Sequence, residues 1–187
     1  MSGSVITIII AVVIVCLILI WLAGTYNSLV RKRNNAKEGF STMDVYLKKR
    51  FDLIPNLVET VKGYASHEKE TLEKVMEVRN QVASSDSIDR KIQGENLLSG
   101  ALGRLFAVAE NYPNLKANEN FLDLQAQLRS VEQDIANSRK FYNGTVKELN
   151  NAVEQFPSNI VAGIFHFDKM PMFEAEVESR ENVQVKF

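Results

Sequence analysis

The sequence predicts an all-α protein in which an N-terminal transmembrane helix continues into an antiparallel bundle of about four helices. Two observations lead to this fold class. A long apolar run lies near the N-terminus, and apolar residues recur at steps of three and four through most of the remaining chain. We expect a membrane anchor at residues 1–25, a helical bundle at 26–167 and an acidic, partly extended tail at 168–187. The tail is either disordered or an edge strand that pairs with a neighbouring subunit.

The composition argues against several functional classes. The chain has 187 residues, and its 22 basic and 23 acidic side chains nearly cancel, so no nucleic-acid partner is predicted. Its single cysteine, Cys16, permits no intrachain disulfide or zinc cluster. Neither histidine has the Glu-x-x-His spacing of a di-iron bundle, because Tyr64 and Gly163 stand three residues before His67 and His166. With no phosphate-binding glycine loop or nucleophile elbow either, we predict no enzyme, metal or cofactor.

The apolar run from Val5 to Ala23 has the length of a membrane span. About 19 helical residues rise roughly 28 Å, close to the hydrocarbon thickness of a bilayer. A cleaved signal peptide is disfavoured, since residues 1–4 carry no basic side chain. Because basic residues flank the cytoplasmic end of a span, we predict that the N-terminus is outside and the bundle cytoplasmic, with an extracytoplasmic bundle as the alternative. The predicted interface residues are Trp21, Tyr26, Arg31, Lys32 and Arg33.

Residues 26–50 form a basic stretch that contains seven basic and two acidic side chains. One interpretation is an orientation signal on a solvated helix face. The other is a binding surface for anionic lipid headgroups.

The first bundle helix is predicted to continue directly from the membrane span. Gly24 is the only glycine or proline between Trp21 and Tyr26, where the helical pattern of the bundle begins, and Pro55 predicts a kink rather than a stop because the pattern continues beyond it. Polar groups cluster at this kink. They are either surface groups, with one amide bonding to backbone freed by the proline, or a polar contact with another subunit or partner. The residues concerned are Arg50, Asp52, Pro55 and Asn56.

Two shorter helices are predicted next. Ser66 is the expected N-cap of a helix that ends near Val82, and Asp86 or Ser87 is the expected cap of a helix that ends near Asn111. Asn118 is placed to cap the following helix.

The fourth helix shows the most regular pattern in the chain. Its apolar seam predicts near-parallel packing against another helix, either within the bundle or as a coiled coil between chains. Ser158 is then expected to cap a short apolar turn at 159–167 that closes the end of the bundle. The seam residues are Phe121, Leu124, Leu128, Val131, Ile135, Ser138, Tyr142, Thr145, Leu149, Ala152 and Phe156.

Several strings of the sequence together resemble the LemA family. They are YNSLV at 26–30, DVYLKKRFDLIPNLVETVKGYA at 44–65, ENYPNLKA at 110–117, RKFYN at 139–143 and FPSNIVA at 156–162. The resemblance implies a bacterial helical bundle behind an N-terminal membrane segment, in a family with no established biochemical activity and no catalytic residues. Some members look like lipoproteins with a cysteine just before the Tyr-Asn pair. Here Thr25 stands instead, which excludes thioether lipidation at that position and favours a membrane-spanning anchor.

Three functional classes follow from these observations. We favour a self-associating scaffold at the bacterial inner membrane, because the anchor, the heptad seam and the tail each suit association. The alternatives are an adaptor that recruits a partner protein to the membrane, and an unrecognised enzyme. The predicted partners are membrane lipid, with anionic lipid as a candidate, further copies of this chain and an unknown protein.

Overall fold

A computed structural model describes residues 3–85 and 87–173, and it confirms the all-α fold. The described residues form six helices and no strand. The predicted edge strand of the tail and the alternative cap Asp86 lie outside the described residues. The helices are α1 (Gly3–Lys62), α2 (Lys69–Ala83), α3 (Ile88–Ala109), α4 (Pro113–Lys116), α5 (Glu119–Glu154) and α6 (Ser158–Ile164).

Helix α1 is continuous over 60 residues, which confirms that the apolar run passes directly into the bundle helix. It is the one helix among the described residues that is long and apolar enough to cross a membrane, and its most apolar window is not buried against the rest of the chain. A buried core helix would have that window covered, so α1 is a candidate membrane anchor.

The chain divides into two compact units. We call the first the anchor unit; its described part is residues 3–39 and 142–170. We call the second the bundle unit; its described part is residues 40–85, 87–141 and 171–173. Both α1 and α5 contribute to each unit.

In the anchor unit, α6 packs against α1. Val161, Ala162 and Phe167 are buried with Leu29 of α1. The aromatic ring of Tyr26 lies edge-on to two phenylalanine rings of this segment. The predicted short apolar turn at the end of the bundle is therefore present. Its predicted cap is wrong, because Ser158 lies inside α6 and its hydroxyl donates to the Gln155 carbonyl.

In the bundle unit, α2 and α3 pack together through buried apolar faces. The predicted cap at Ser66 is wrong. Ser66 lies in a turn before α2, and Glu68 occupies the N-cap position. Ser87 does occupy the N-cap position of α3, although its hydroxyl makes no capping bond. Asn118 caps α5 as predicted, since its Oδ1 accepts a hydrogen bond from the Phe121 amide at 3.0 Å.

The α5 seam is buried within this chain over most of its length. Leu128, Val131, Ile135, Tyr142 and Leu149 are each no more than 2% exposed. These side chains are therefore not available to a second chain, and the seam packs within the bundle rather than between chains.

Four positions of the seam differ from the predicted pattern. Phe156 is wrong as a seam residue, because α5 ends at Glu154 and the Phe156 side chain is 80% exposed. Leu124, Thr145 and Ala152 are only half-buried, while Val146, outside the predicted seam, is fully buried. A straight α-helix has 3.6 residues per turn, so a strict seven-residue pattern drifts off the buried face by the end of a long helix.

Helix α1 continues through Pro55, as predicted, and a neighbouring helix satisfies the backbone group that the proline leaves free. Proline has no amide to donate to the carbonyl of Phe51, four residues earlier. Arg79 of α2 donates its Nε–H to that carbonyl at 3.1 Å. The predicted partner, Asn56, is wrong, since the Asn56 side chain is exposed and the bond comes from Arg79.

Replacing Arg79 with methionine is expected to lower the free energy of unfolding by about 1 kcal/mol, because a carbonyl of the helix core loses its donor. Urea unfolding of the detergent-solubilised chain, followed by far-ultraviolet circular dichroism, measures the change. In a Pro55→Ala background the restored amide serves Phe51, so the same replacement should cost less. An equal cost in both backgrounds would show that Arg79 acts through other contacts.

Candidate functional site

A buried ion network joins three helices of the bundle unit. Arg50 of α1 is fully buried, and its guanidinium pairs with the buried carboxylate of Glu95 on α3. Its Nη1 also donates to Glu132 of α5 at 2.7 Å and lies 3.4 Å from the hydroxyl of Ser99. Arg139 of α5 approaches the same Glu95 oxygen at 3.4 Å. We call Arg50, Glu95, Glu132 and Arg139 the ion network; their formal charges cancel.

Burial raises the pKa of Glu95 above its ordinary value, and the positive charges of Arg50 and Arg139 offset only part of that effect. The ionised carboxylate is therefore less favourable in the folded chain than in the unfolded chain. The raised pKa means that protonated Glu95 contributes to the free energy of unfolding. This contribution is complete below 4.5, the ordinary pKa that applies in the unfolded chain, and is lost as pH rises through the higher pKa of the folded chain.

Within the ion network, Arg50 and Glu95 form a fully buried pair that joins α1 to α3, whereas Glu132 of α5 is 40% exposed. Arg50 and Glu95 have no exposed surface, so no solute reaches their charged atoms. A buried charge without its partner is costly, so arrangements of α1, α3 and α5 that separate these charges are disfavoured.

The sequence-based interpretations of Arg50 are both corrected. It is neither a surface group nor a contact to another subunit, because its guanidinium is buried and paired inside the chain. Asp52 is exposed and Pro55 is half-buried, and the ion network contains neither of them. Glu95 was not predicted from the sequence, although its position three residues before Leu98, a buried residue of α3, was the available signal. A carboxylate on a buried face requires a cationic partner.

The predicted membrane-interface residues have different environments in the anchor unit. Trp21 is 40% exposed and Arg31 is exposed, as expected for groups that face lipid or water. Tyr26 packs against Phe165, with ring centroids 4.8 Å apart. Lys32 lies 3.4 Å from a carboxylate oxygen of Glu148. Arg33 stacks over the ring of Phe167, so the basic stretch is not a uniformly solvated face.

A groove of about 770 Å³ runs between α2 and α3 in the bundle unit. Its apolar lining includes Leu97, which is 60% exposed, together with Val78 and Ala101. Glu70, Glu73 and Glu77 of α2 line the same groove. Their spacing of three and four residues places the carboxylates on one face of α2. The groove therefore has an apolar floor, three carboxylates and Lys74 along α2, and Arg104 on the side that α3 forms.

The fold and these sites define a class of protein: a helical bundle whose first helix doubles as a candidate membrane anchor. Within that class, the chain belongs to the LemA family, whose family model matches residues 39–187. The family resemblance predicted from sequence strings is thereby confirmed.

Individual relatives extend the comparison. Protein LemA of Metamycoplasma hominis is 25% identical over 162 residues, covering 86% of this chain and 74% of the relative. Magnetosome protein MamQ of Magnetospirillum gryphiswaldense is 24% identical over 174 residues, covering 79% of this chain. Magnetosome protein MamQ 2 of Paramagnetospirillum magneticum is 25% identical over 175 residues, covering 80% of this chain. The matched part spans 64% of each of these two magnetosome proteins.

Proposed function

We propose that this protein is a non-enzymatic, membrane-anchored adaptor that recruits a partner protein to the bacterial inner membrane. The open groove between α2 and α3 carries this proposal, because it presents an exposed leucine beside a row of carboxylates. We expect its occupant to be an amphipathic helix of another protein, with basic side chains facing α2 and apolar side chains facing Leu97.

The ion pairs along the groove can be replaced by ion pairs with a bound partner protein. Glu73 pairs with Lys69 at 3.6 Å and Glu77 with Lys74 at 2.8 Å, and all four side chains are more than half exposed. Such surface pairs contribute little to stability, so basic groups of a partner can replace these lysines at little cost.

Self-association, which the sequence patterns favoured, loses one of its three bases. The seam that would have joined copies of the chain is buried inside the chain. The tail, another feature that favoured association, lies outside the described residues. The adaptor is therefore the better supported of the two functions.

The proposed topology places the bundle in the cytoplasm. Arg31 is exposed eight residues after the span ends at Ala23, within the region where the positive-inside rule places basic residues on the cytoplasmic side. We also propose that Arg31 binds anionic lipid headgroups. The orientation can be tested with a reporter that is active only outside the cytoplasm, fused after Phe187. Activity of this reporter would overturn the proposed orientation and support the extracytoplasmic alternative.

Photocrosslinking in living cells tests the adaptor. A photoreactive amino acid at Leu97 should form one product with a second protein, whose identity mass spectrometry then provides. The same amino acid at Leu122, which is 46% exposed on α5, serves as the matched control and should not form that product. Charge reversal by Glu70→Lys with Glu77→Lys should reduce the Leu97 product several-fold.

Two results would contradict the adaptor. A Leu97 product with twice the mass of this chain would restore the scaffold interpretation. A product unaffected by charge reversal, or formed equally from Leu122, would show that the groove is not the recruiting surface.

A further inference from the structure

The anchor unit exposes a second apolar surface, separate from the apolar run. It consists of four large side chains in and beside α6, and we call it the α6 surface. Residues 155–167, which carry this surface, contain no Asp, Glu, Lys or Arg, and their one titratable side chain is that of His166. Its members are Phe156 (80% exposed), Ile160 (49%), Ile164 (60%) and Phe165 (43%).

The buried face of α6 determines where this surface lies along α1. Val161 and Ala162 pack beside Leu29, and Leu22 and Tyr26 of α1 pack against the same cluster. Leu22 belongs to the apolar run itself, which ends at Ala23. Helix α6 is therefore attached to α1 at the point where the membrane span ends.

Helix geometry gives the depth of this attachment. At about 1.5 Å per residue, Tyr26 lies only about 4–5 Å beyond Ala23 along the axis of α1. The interfacial layer on each side of the hydrocarbon core is about 5–7 Å thick. A segment packed on α1 from Leu22 to Leu29 therefore begins inside that layer.

We propose that the α6 surface inserts into the membrane interface, so that the chain contacts the bilayer twice: once through the α1 span and once through α6. This inference rests on the proposed membrane anchor. The ligand is phospholipid, with the aliphatic and phenylalanine side chains among the upper acyl carbons. Tyr26 packs against Phe165 at the headgroup level, where amphipathic rings are favoured.

Charged side chains at the edges of the segment suit the same location. Lys169 is 57% exposed just after α6, paired with Glu154 just before it. Arg31 is exposed on α1. Lys169 lies two residues after Phe167, and Arg31 lies two residues after Leu29, which packs against α6, so both cations are placed to contact lipid phosphates. If the chain contacted the membrane through α1 alone, this helix could rotate about its own axis. Insertion of α6 beside α1 fixes which face of α1 lies toward the α6 contact with the interface.

Tryptophan quenching by brominated phospholipid tests this proposal in the full-length chain. The chain has one tryptophan, so Trp21→Phe provides a silent background. Ile164→Trp and Phe156→Trp are then made separately and reconstituted in vesicles of phosphatidylethanolamine and phosphatidylglycerol, with brominated phosphatidylcholine added. The control is Glu38→Trp. Position 38 is exposed on α1, the helix that carries Trp21, and it lies roughly 22 Å beyond Ala23, outside the interfacial layer. Far-ultraviolet circular dichroism verifies that each variant keeps its helices.

We expect quenching at positions 164 and 156 to approach that of Trp21 in the unmodified chain, and to exceed quenching at position 38 by about twofold or more. Quenching at both positions equal to that at position 38, with Trp21 quenched, would overturn this inference and leave the anchor intact. An unquenched Trp21 would overturn the anchor and this inference together. A chain that is dimeric in the vesicles and unquenched at both positions would assign the α6 surface to a second copy instead.

Discussion

Replacing Arg50 with methionine is expected to lower the free energy of unfolding by about 3–5 kcal/mol, the largest effect of any single substitution considered. Methionine fills much of the same volume but leaves the carboxylate of Glu95 buried without its closest cation. Arg139, at 3.4 Å, is the positive charge that remains beside it. Urea unfolding of the detergent-solubilised chain measures the loss.

A matched control distinguishes burial from charge alone. Lys62 lies on the same helix and pairs with Glu59 at 3.3 Å, but both side chains are more than 60% exposed. Lys62→Met should leave the unfolding transition unchanged, because exposed pairs are screened by water. A loss as large in Lys62→Met as in Arg50→Met would refute the assignment of the effect to burial.

The double variant Arg50→Met with Glu95→Leu tests whether the penalty comes from the orphaned charge. Two apolar side chains remove both the ion pair and its desolvation cost, so the double variant should be more stable than Arg50→Met alone. Additive losses would mean that Arg50 and Glu95 act independently.

Gly94→Ala is expected to destabilise the bundle unit by about 1–3 kcal/mol, because an added methyl group has no space between α3 and α2. A Cβ at this position would collide with Cγ2 of Val82 and would lie 3.3 Å from the Cβ and Cγ1 of the same side chain. Val82 is 2% exposed on α2, and a β-branched side chain has little rotamer freedom with which to move aside.

Two further variants check this cause. Gly103→Ala, on the same helix, has no atom within 4 Å of the added Cβ and should stabilise the chain by about 0.5–1 kcal/mol through helix propensity. In a Val82→Ala background, Gly94→Ala should cost less than it does alone, because the colliding methyl groups are absent. A destabilised Gly103→Ala, or an unrelieved Gly94→Ala, would rule out steric contact as the cause.

Local sequence predicted the helices well because helical periodicity is a property of neighbouring residues. The steps of three and four around Met43, Leu47 and Ile54 continued through Pro55, and α1 does the same. Helix boundaries were less accurate, since Ser66 offers a capping hydroxyl that the turn before α2 does not use. Which of several capping residues is used depends on how the flanking chain packs.

Local sequence patterns could not predict which side chains pair between different helices of the bundle. Arg50 and Glu95 are 45 residues apart, and the donor to the Phe51 carbonyl lies 28 residues away. Periodicity assigns a residue to a face of its own helix but gives no information about which residue of another helix lies opposite.

The amino-acid sequence by itself determined the apolar span, its continuation into the bundle, the family and most of the buried seam, because each depends on composition or on spacing along one helix. The tertiary structure decided that the seam packs within the chain and that Arg50 is buried among paired charges. It also decided that α6 covers α1 at the end of the span while exposing its own apolar side chains. These properties depend on which helix faces meet, and that is settled only when apolar burial and charge pairing are satisfied across the whole chain at once.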